Sequence, residues 1–350
     1  MAEGSIINPR NNSYLLGQNE AESIFLRAWK SSQMHHSWIL SGPKGVGKAT
    51  LAYRITRFLL WADENKRAEY SSLNVPENSP IFKQVADGSF PDLKVLERGY
   101  TETDKRKVVK AIQNGEPLND DEMSKLKKSA FIRIDDVREV VDFLSKTSFN
   151  DGWRIVIIDS ADEMNRAAEN ALLKILEEPP AKTIILLICN NLGKMLPTIL
   201  SRCVRLNLRS LEVNEVASLL RRYRPELNEK MIAKICEISA GSIGSAIKYA
   251  DNDAVKIYDD LQKCALSKDK GNFSETLEFC RDLATDDEKF ALSEELFNKF
   301  FRDLMEQSNN PEAVYKCWQN AGRMFADCVN INMDKNLMLL NLFNEIAKVL

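Results

Sequence analysis

The run Gly42-Pro-Lys-Gly-Val-Gly-Lys48 has the G-x-x-x-x-G-K spacing of a phosphate-binding loop. Glycines at those positions let successive backbone N–H groups turn toward one phosphate. The start of the following helix adds partial positive charge, and a lysine at the last position reaches the outer phosphates. Gly42, Pro43, Lys44, Gly45, Val46, Gly47, Lys48, Ala49 and Thr50 are therefore the candidate nucleotide contacts. One position departs from the motif. Where Ser or Thr would offer a hydroxyl to Mg²⁺, the chain has Ala49, and Thr50 lies one step further round the helix, about 100° away. Backbone and Lys48 could still hold ATP or ADP, but the residues support Mg²⁺ only weakly.

A second candidate is Asp159, which follows the apolar run Ile155 to Ile158 at the place where a P-loop fold puts a carboxylate for Mg²⁺. An ATP-hydrolysing domain would commonly follow it with Glu, to polarise the attacking water; here the next residue is Ser160. Asp162 and Glu163 are displaced by two or three positions and are expected to be solvated turn or helix-start residues. General-base catalysis thus lacks its expected carboxylate. A third candidate is Arg202, in Ser201-Arg-Cys203 after the helical turn Met195 to Leu200. With a nucleotide fold behind it, a guanidinium there could be offered to a neighbouring subunit's γ-phosphoryl group.

These residues need a strand–loop–helix scaffold, and the apolar spacing supplies one. Ile24, Phe25, Ala28 and Trp29 predict a helix over about 20–30, and Ser37 to Leu40 reads as a buried strand ended by Gly42. Leu51, Ala52, Ile55, Phe58 and Leu59 predict a helix over 49–62. A short strand over 93–96 follows a turn at 87–92, and a helix over 136–149 precedes the plainest strand, 153–158. Another helix, 165–176, is stopped by Glu-Glu-Pro-Pro180 and leads to a strand over 183–188. Alternating strands and helices imply a mainly parallel sheet with right-handed crossovers, an α/β fold class. Residues 101–130, with seven basic and six acidic side chains, read as a surface insertion that is partly helical around 108–112.

From about Leu211 every periodic segment has helical spacing. Residues 211–250 fit three short helices, and 253–350 form a longer helical region with an apolar stripe at Leu296, Phe297, Phe300, Phe301 and Leu304. The expected organisation is a nucleotide-binding-type domain over 1–209, a small helical lid over 210–252 and an all-helical collar over 253–350.

Composition narrows the chemistry further. With 350 residues, 44% apolar and 28% charged, the chain is long enough for two or three ordinary globular domains. Lys plus Arg total 48 against 51 Asp plus Glu, a net charge of −3, so no global polyanion-binding surface is indicated. The densest basic cluster, Arg221-Arg-Tyr-Arg224, is expected to be a solvated helix face. The seven cysteines include no C-x-x-C pair, and the only histidines are the adjacent His35 and His36, so a disulfide framework, zinc knuckle or Ser/His/Asp triad has almost no material. No run approaches the roughly 18 apolar residues of a membrane helix, and the first residues lack a basic end followed by an apolar stretch. A cytoplasmic protein is expected.

Together the motifs resemble the clamp-loader branch of the AAA+ ATPases, and within it the delta-prime type of bacterial DNA polymerase III subunit. The resemblance rests on His36 to Lys48, Phe90-Pro-Asp-Leu93, Ile134-Asp-Asp-Val-Arg138, Asn170 to Pro180 and Leu196-Pro-Thr-Ile-Leu-Ser-Arg-Cys203, and it covers about 10–210 strongly. It implies a P-loop AAA+ domain, a helical lid and a collar. It further implies a hetero-oligomeric ring with gamma/tau-like ATPases and a delta-like subunit, which loads a sliding clamp on primed DNA. By position Arg202 is the arginine given in trans, and Asn190 is the candidate polar phosphate sensor. Three departures stand out: no cysteine in the stretch 61–90 where many members carry a zinc module, so zinc is not expected; Gly244 where an ATPase subunit has a sensing arginine; and Ala49 with Ser160, as above. A subunit with weak or absent hydrolysis is therefore expected, against the alternative of an ATP-hydrolysing gamma/tau-like subunit. A helicase loader or initiator is disfavoured, since no C-terminal helix-turn-helix signature or basic run is present.

Overall fold

The computed structural model describes residues 8–113, 126, 128–146, 148, 152–266, 273–331 and 333–350. The chain divides into two compact units, Met1–Glu215 and Val216–Leu350. The first is built on five strands, β1 (Ser37–Ser41), β2 (Leu93–Leu96), β3 (Arg154–Ile158), β4 (Thr183–Cys189) and β5 (Val204–Asn207), all parallel in the order β2-β3-β4-β1-β5. Central strands covered on both faces read as near-continuous apolar runs, with polar residues confined to their ends. Accordingly β1, β3 and β4 are buried along their whole length.

Alternate residues feed two cores. Trp38, Leu40, Ile155, Ile157, Ile184, Leu186 and Ile188 meet Phe25 and Trp29 of α1 (Asn19–Lys30), Leu51, Ile55 and Phe58 of α2 (Lys48–Trp61) and Val85 of α3 (Pro80–Asp87). On the other face Ile39, Val156, Ile158, Ile185 and Leu187 meet Val137 and Val140 of α5 (Ile134–Ser145) and Ala168, Leu172 and Leu176 of α6 (Arg166–Glu177). The result is the three-layer α/β sandwich that alternating elements predict.

Three elements depart from the sequence expectation or refine it. Helix α3 was not predicted, although its ends are signalled: Ser79 accepts from the Phe82 N–H, Pro80 opens the helix and Gly88 closes it at φ 74°. Strand β5 went unforeseen because it is four residues long and only Leu206 of them is fully buried. The 101–130 insertion begins with α4 (Glu102–Gln113) and returns at an antiparallel bridge between Tyr100 and Lys128, so its two ends are adjacent. Residues 114–125 and 127 of it lie outside the described residues.

Helix α7 (Pro197–Leu200) and helix α8 (Val213–Tyr223) follow, the latter running across the boundary between the units. The second unit continues with α9 (Glu229–Ser239), α10 (Ile243–Asp251), α11 (Ala254–Leu266), α12 (Phe273–Ala284), α13 (Asp287–Gln307), α14 (Pro311–Ile331) and α15 (Lys335–Ala347). Its core uses the foreseen stripe: Leu296, Phe297, Phe300 and Phe301 are buried, with Phe297 against Phe325 and Phe343 at centroid distances of 5.9 and 5.5 Å. Arg221 and Arg224 of the basic cluster form two-point ion pairs with Glu229 and Asp251.

Candidate functional site

In a parallel sheet the loops that leave the carboxyl ends of the central strands converge, and every candidate except Arg202 sits there. The registers Ser41↔Cys189 and Ile158↔Leu187 bring Gly42, Asp159 and Asn190 out of the same edge of the sheet. Gly42, Gly45 and Gly47 have φ of 148°, 78° and 103°, the left-handed region that lets a loop turn its N–H groups inward. Gly47 is also the residue that caps α2, so the helix start points at the loop.

Lys48 is buried, and its ammonium donates to the carbonyls of Gly42 and Pro43 at 2.7 and 2.5 Å. Burial pushes it down from 10.5 to about 8, while the nearby charges of Asp162 and Asp159 pull the other way. Burial and the neighbouring Glu97 push the Asp159 carboxyl above its ordinary range. A lysine held below its ordinary value binds fewer protons than in the unfolded chain between pH 8 and 10.5, so this group makes the folded state gain stability as pH rises through that window. The same deprotonation removes a charge-assisted contact worth about 1.5–3 kcal/mol to any anion in the loop. Affinity for an anionic ligand is expected to fall as pH rises past about 8, and isothermal titration across that range checks it; a flat profile would show that Lys48 keeps its charge there or does not touch the ligand.

Ala49 faces the apolar core cluster and Thr50 is buried one residue on. Lys44 and Pro43 are exposed on the loop, and Val46 is buried beneath it. Asn190 is exposed, and its backbone N–H donates to Asp162. Asp162 is not simply solvated: its two oxygens take the N–H groups of Asn190 and Asn191 at 3.0 and 3.1 Å, clamping the loop after β4. Glu163 pairs with Arg98 at 2.8 Å. Both carboxylates are thus engaged by protein partners, and Ser160 stands at φ 58° as the cap of the short turn that contains them.

Arg202 follows α7. Its Nη1 donates to the Thr198 carbonyl at 3.0 Å and its Nη2 pairs with Glu177 at 2.7 Å; 36% of its side-chain surface is exposed. Cys203 beside it has its thiol pushed up to about 12 by burial, which makes it a neutral packing group. Glu169, 3% exposed, was not singled out from sequence, although its place in the first turn of α6 marks it: it accepts from the Leu196 N–H at 3.0 Å and pairs with Arg166, fixing the entry to α7. Among the described residues no cluster of three or more His, Cys, Asp or Glu side chains could hold a metal ion, and no helix is long and apolar enough to cross a membrane.

A phosphate loop leaving β1, a carboxylate leaving β3 and a strand β4 inserted between the two make this an AAA+ domain of the P-loop class. The model of the family described as "DNA polymerase III, delta subunit" matches residues 17–212, more than half of the chain, and the chain belongs to that family. A DNA polymerase III subunit delta' from Pseudomonas aeruginosa is 32% identical over 174 residues, which cover 50% of this chain and 43% of that protein. A DNA polymerase III subunit gamma from Buchnera aphidicola subsp. Schizaphis graminum is 23% identical over 316 residues, 89% of this chain and 74% of that one. The alignment to the delta' relative thus spans less than half of that relative's length. Among solved structures, a DNA polymerase III gamma subunit-related protein from Thermotoga maritima is similar at a TM-score of 0.44 and 17% identity, covering 93% of this chain and 99% of its own.

Proposed function

We propose that this chain is a delta-prime-like subunit of a DNA polymerase III clamp loader. It assembles with gamma/tau-like ATPases and a delta-like subunit into a hetero-oligomeric ring in the cytoplasm, and that ring places a sliding clamp on primed DNA during replication. Within the ring it supplies Arg202 to a neighbouring ATP site. Its own loop holds ATP or ADP through Gly42 to Thr50, with Asp159 and Asn190 nearby, and turns it over weakly or not at all. The residues over 210–252 act as a helical lid and those over 253–350 as the collar through which subunits join.

One observation carries this division of labour. The chain presents a part-exposed guanidinium after α7, while its own site has an alanine at 49 and a serine at 160 where hydrolysis needs a hydroxyl and a carboxylate. Each loss removes stabilisation used only in the transition state, so binding can survive where turnover does not. Mixing the chain with the gamma- and delta-type subunits of its own organism should give a species of defined mass. The chain alone should show no ATPase activity above that of its Lys48→Ala variant. Failure to enter any assembly, or brisk hydrolysis that Lys48→Ala abolishes, would overturn the proposal in favour of a different partner or of a gamma/tau-like ATPase.

A further inference from the structure

The segment from Asn190 to Arg202 is held at three points by carboxylates that follow one another along a single stretch of chain. Asp162 takes the Asn190 and Asn191 N–H groups, Glu169 takes the Leu196 N–H, and Glu177 pairs with the Arg202 guanidinium. The first two grip backbone, and Glu169 does so from a site 3% exposed. The third is different, because it grips the side chain on which the trans contact depends. We infer that Glu177 is a positioning residue for Arg202, orienting the guanidinium toward the neighbouring subunit's phosphate without consuming the donors that bind it; this rests on the trans role of Arg202 proposed above.

A guanidinium has five N–H donors in one plane. A single hydrogen bond leaves that plane free to rotate about it, and two partners on different elements fix it. Thr198, in α7, accepts from Nη1 at 3.0 Å, and Glu177, the last residue of α6, accepts at Nη2 at 2.7 Å. Nη1 also lies 3.4 Å from the Ser201 hydroxyl. The Nε–H and the second hydrogen of Nη2 remain for an incoming phosphate. Glu177 is itself firmly based: the Glu178 N–H donates to the Lys174 carbonyl at 3.2 Å, and Pro179 and Pro180 end the helix directly afterwards. The pair is exposed, with 36% and 49% of the two side chains accessible, so it contributes little to folding. Glu177 can therefore be replaced without unfolding the domain.

If Glu177 merely parked the arginine and competed with phosphate, its removal would speed the neighbouring site. Positioning predicts the reverse. In the reconstituted ring, Glu177→Ala is expected to slow hydrolysis at the neighbouring site by about tenfold or more, read as a slow phase in single-turnover kinetics, with nucleotide affinity unchanged, since small misplacements of a transition-state contact cost up to about 10²-fold. Glu177→Gln, which keeps an oxygen acceptor in place, should recover most of the rate. Arg202→Ala in the same assay separates the positioning role from the trans role. A drop for Arg202→Ala without one for Glu177→Ala, an increase for Glu177→Ala, or a loss that Glu177→Gln does not recover overturns the positioning role alone. No effect of Arg202→Ala removes the trans-arginine role itself, and this inference with it.

Discussion

Arg202→Ala is expected to lower turnover at the neighbouring ATP site of the assembled ring by about 10³-fold, the lower end of what a trans arginine contributes to phosphoryl transfer. The effect follows from where charge develops. The transferring phosphoryl group spreads negative charge over its equatorial oxygens, and a planar fork of donors placed against them in a water-poor interface stabilises the transition state more than bound ATP. The substitution should hardly alter the folding of this chain. Arg202 is part exposed, and its contacts are one backbone carbonyl, one hydroxyl and one exposed carboxylate. Such a surface pair is worth about 0–1 kcal/mol. Arg202→Lys should recover little, because an ammonium is a point charge that cannot reach Glu177, Thr198 and a phosphate at once in the fork geometry. The measurement is single-turnover ATP hydrolysis in reconstituted rings carrying each variant, which resolves one slowed site among the ring's ATPases, with assembly checked by mass. If every site of intact Arg202→Ala rings hydrolyses ATP at the wild-type single-turnover rate, this residue makes no catalytic contribution.

The distinction between what a residue type announces and what its surroundings decide runs through the whole molecule. The central strands and the helices around them were legible because burial on both faces requires continuous apolar runs, and amphipathic helices repeat their apolar positions; β1, β3, β4, α2 and α6 fall within a residue or two of the positions their spacing predicts. Strand β5 was not legible, since a four-residue edge strand with one fully buried side chain has no periodicity to detect. Helix α3 carries both kinds of signal, caps at Ser79 and Gly88 and apolar Ile81, Phe82 and Val85 at helical spacing, but eight residues are too few for that periodicity to stand out. The phosphate loop could be read because its chemistry is local: glycines, a helix start and a lysine within seven residues. The carboxylate contacts of Asp162, Glu169 and Arg202 could not be. Each joins residues 25 or more positions apart, and nothing in the chain itself says that Asp162 faces the amides of Asn190 and Asn191 instead of water. Long-range carboxylate–amide pairs are set by the packing of α6 and β4, so they appear only once the fold is assembled.

Gly42→Ala is expected to destabilise the first unit by about 4 kcal/mol, among the larger effects a single substitution produces. Gly42 leaves β1 at φ 148°, a conformation that costs an L side chain strain by itself. The larger part is steric. A Cβ at this position would lie 2.3 Å from the carbonyl oxygen of Leu208 and 3.1 Å from its carbonyl carbon. Both are backbone atoms, and neither can swing aside as a side-chain tip could. The Leu208 N–H donates to the Ser41 carbonyl at 2.7 Å, which ties the exits of β5 and β1 together, and the Leu208 side chain is buried in the same core as α2. Relief therefore requires moving either the end of β5 or the phosphate loop. Moving the loop misdirects the N–H groups that would cradle a phosphate, so nucleotide affinity should fall along with stability. Gly322 supplies the opposite case. It lies within α14, where an added methyl would meet nothing within 4 Å, and Gly322→Ala should stabilise the protein by about 0.5–1 kcal/mol through lost freedom in the unfolded chain. Urea unfolding of the two variants beside wild type measures both signs. Equal stability of Gly42→Ala and wild type would mean that the close approach of Leu208 to the loop does not exist in solution, and with it would go the geometric basis for placing phosphate at Gly42 to Lys48.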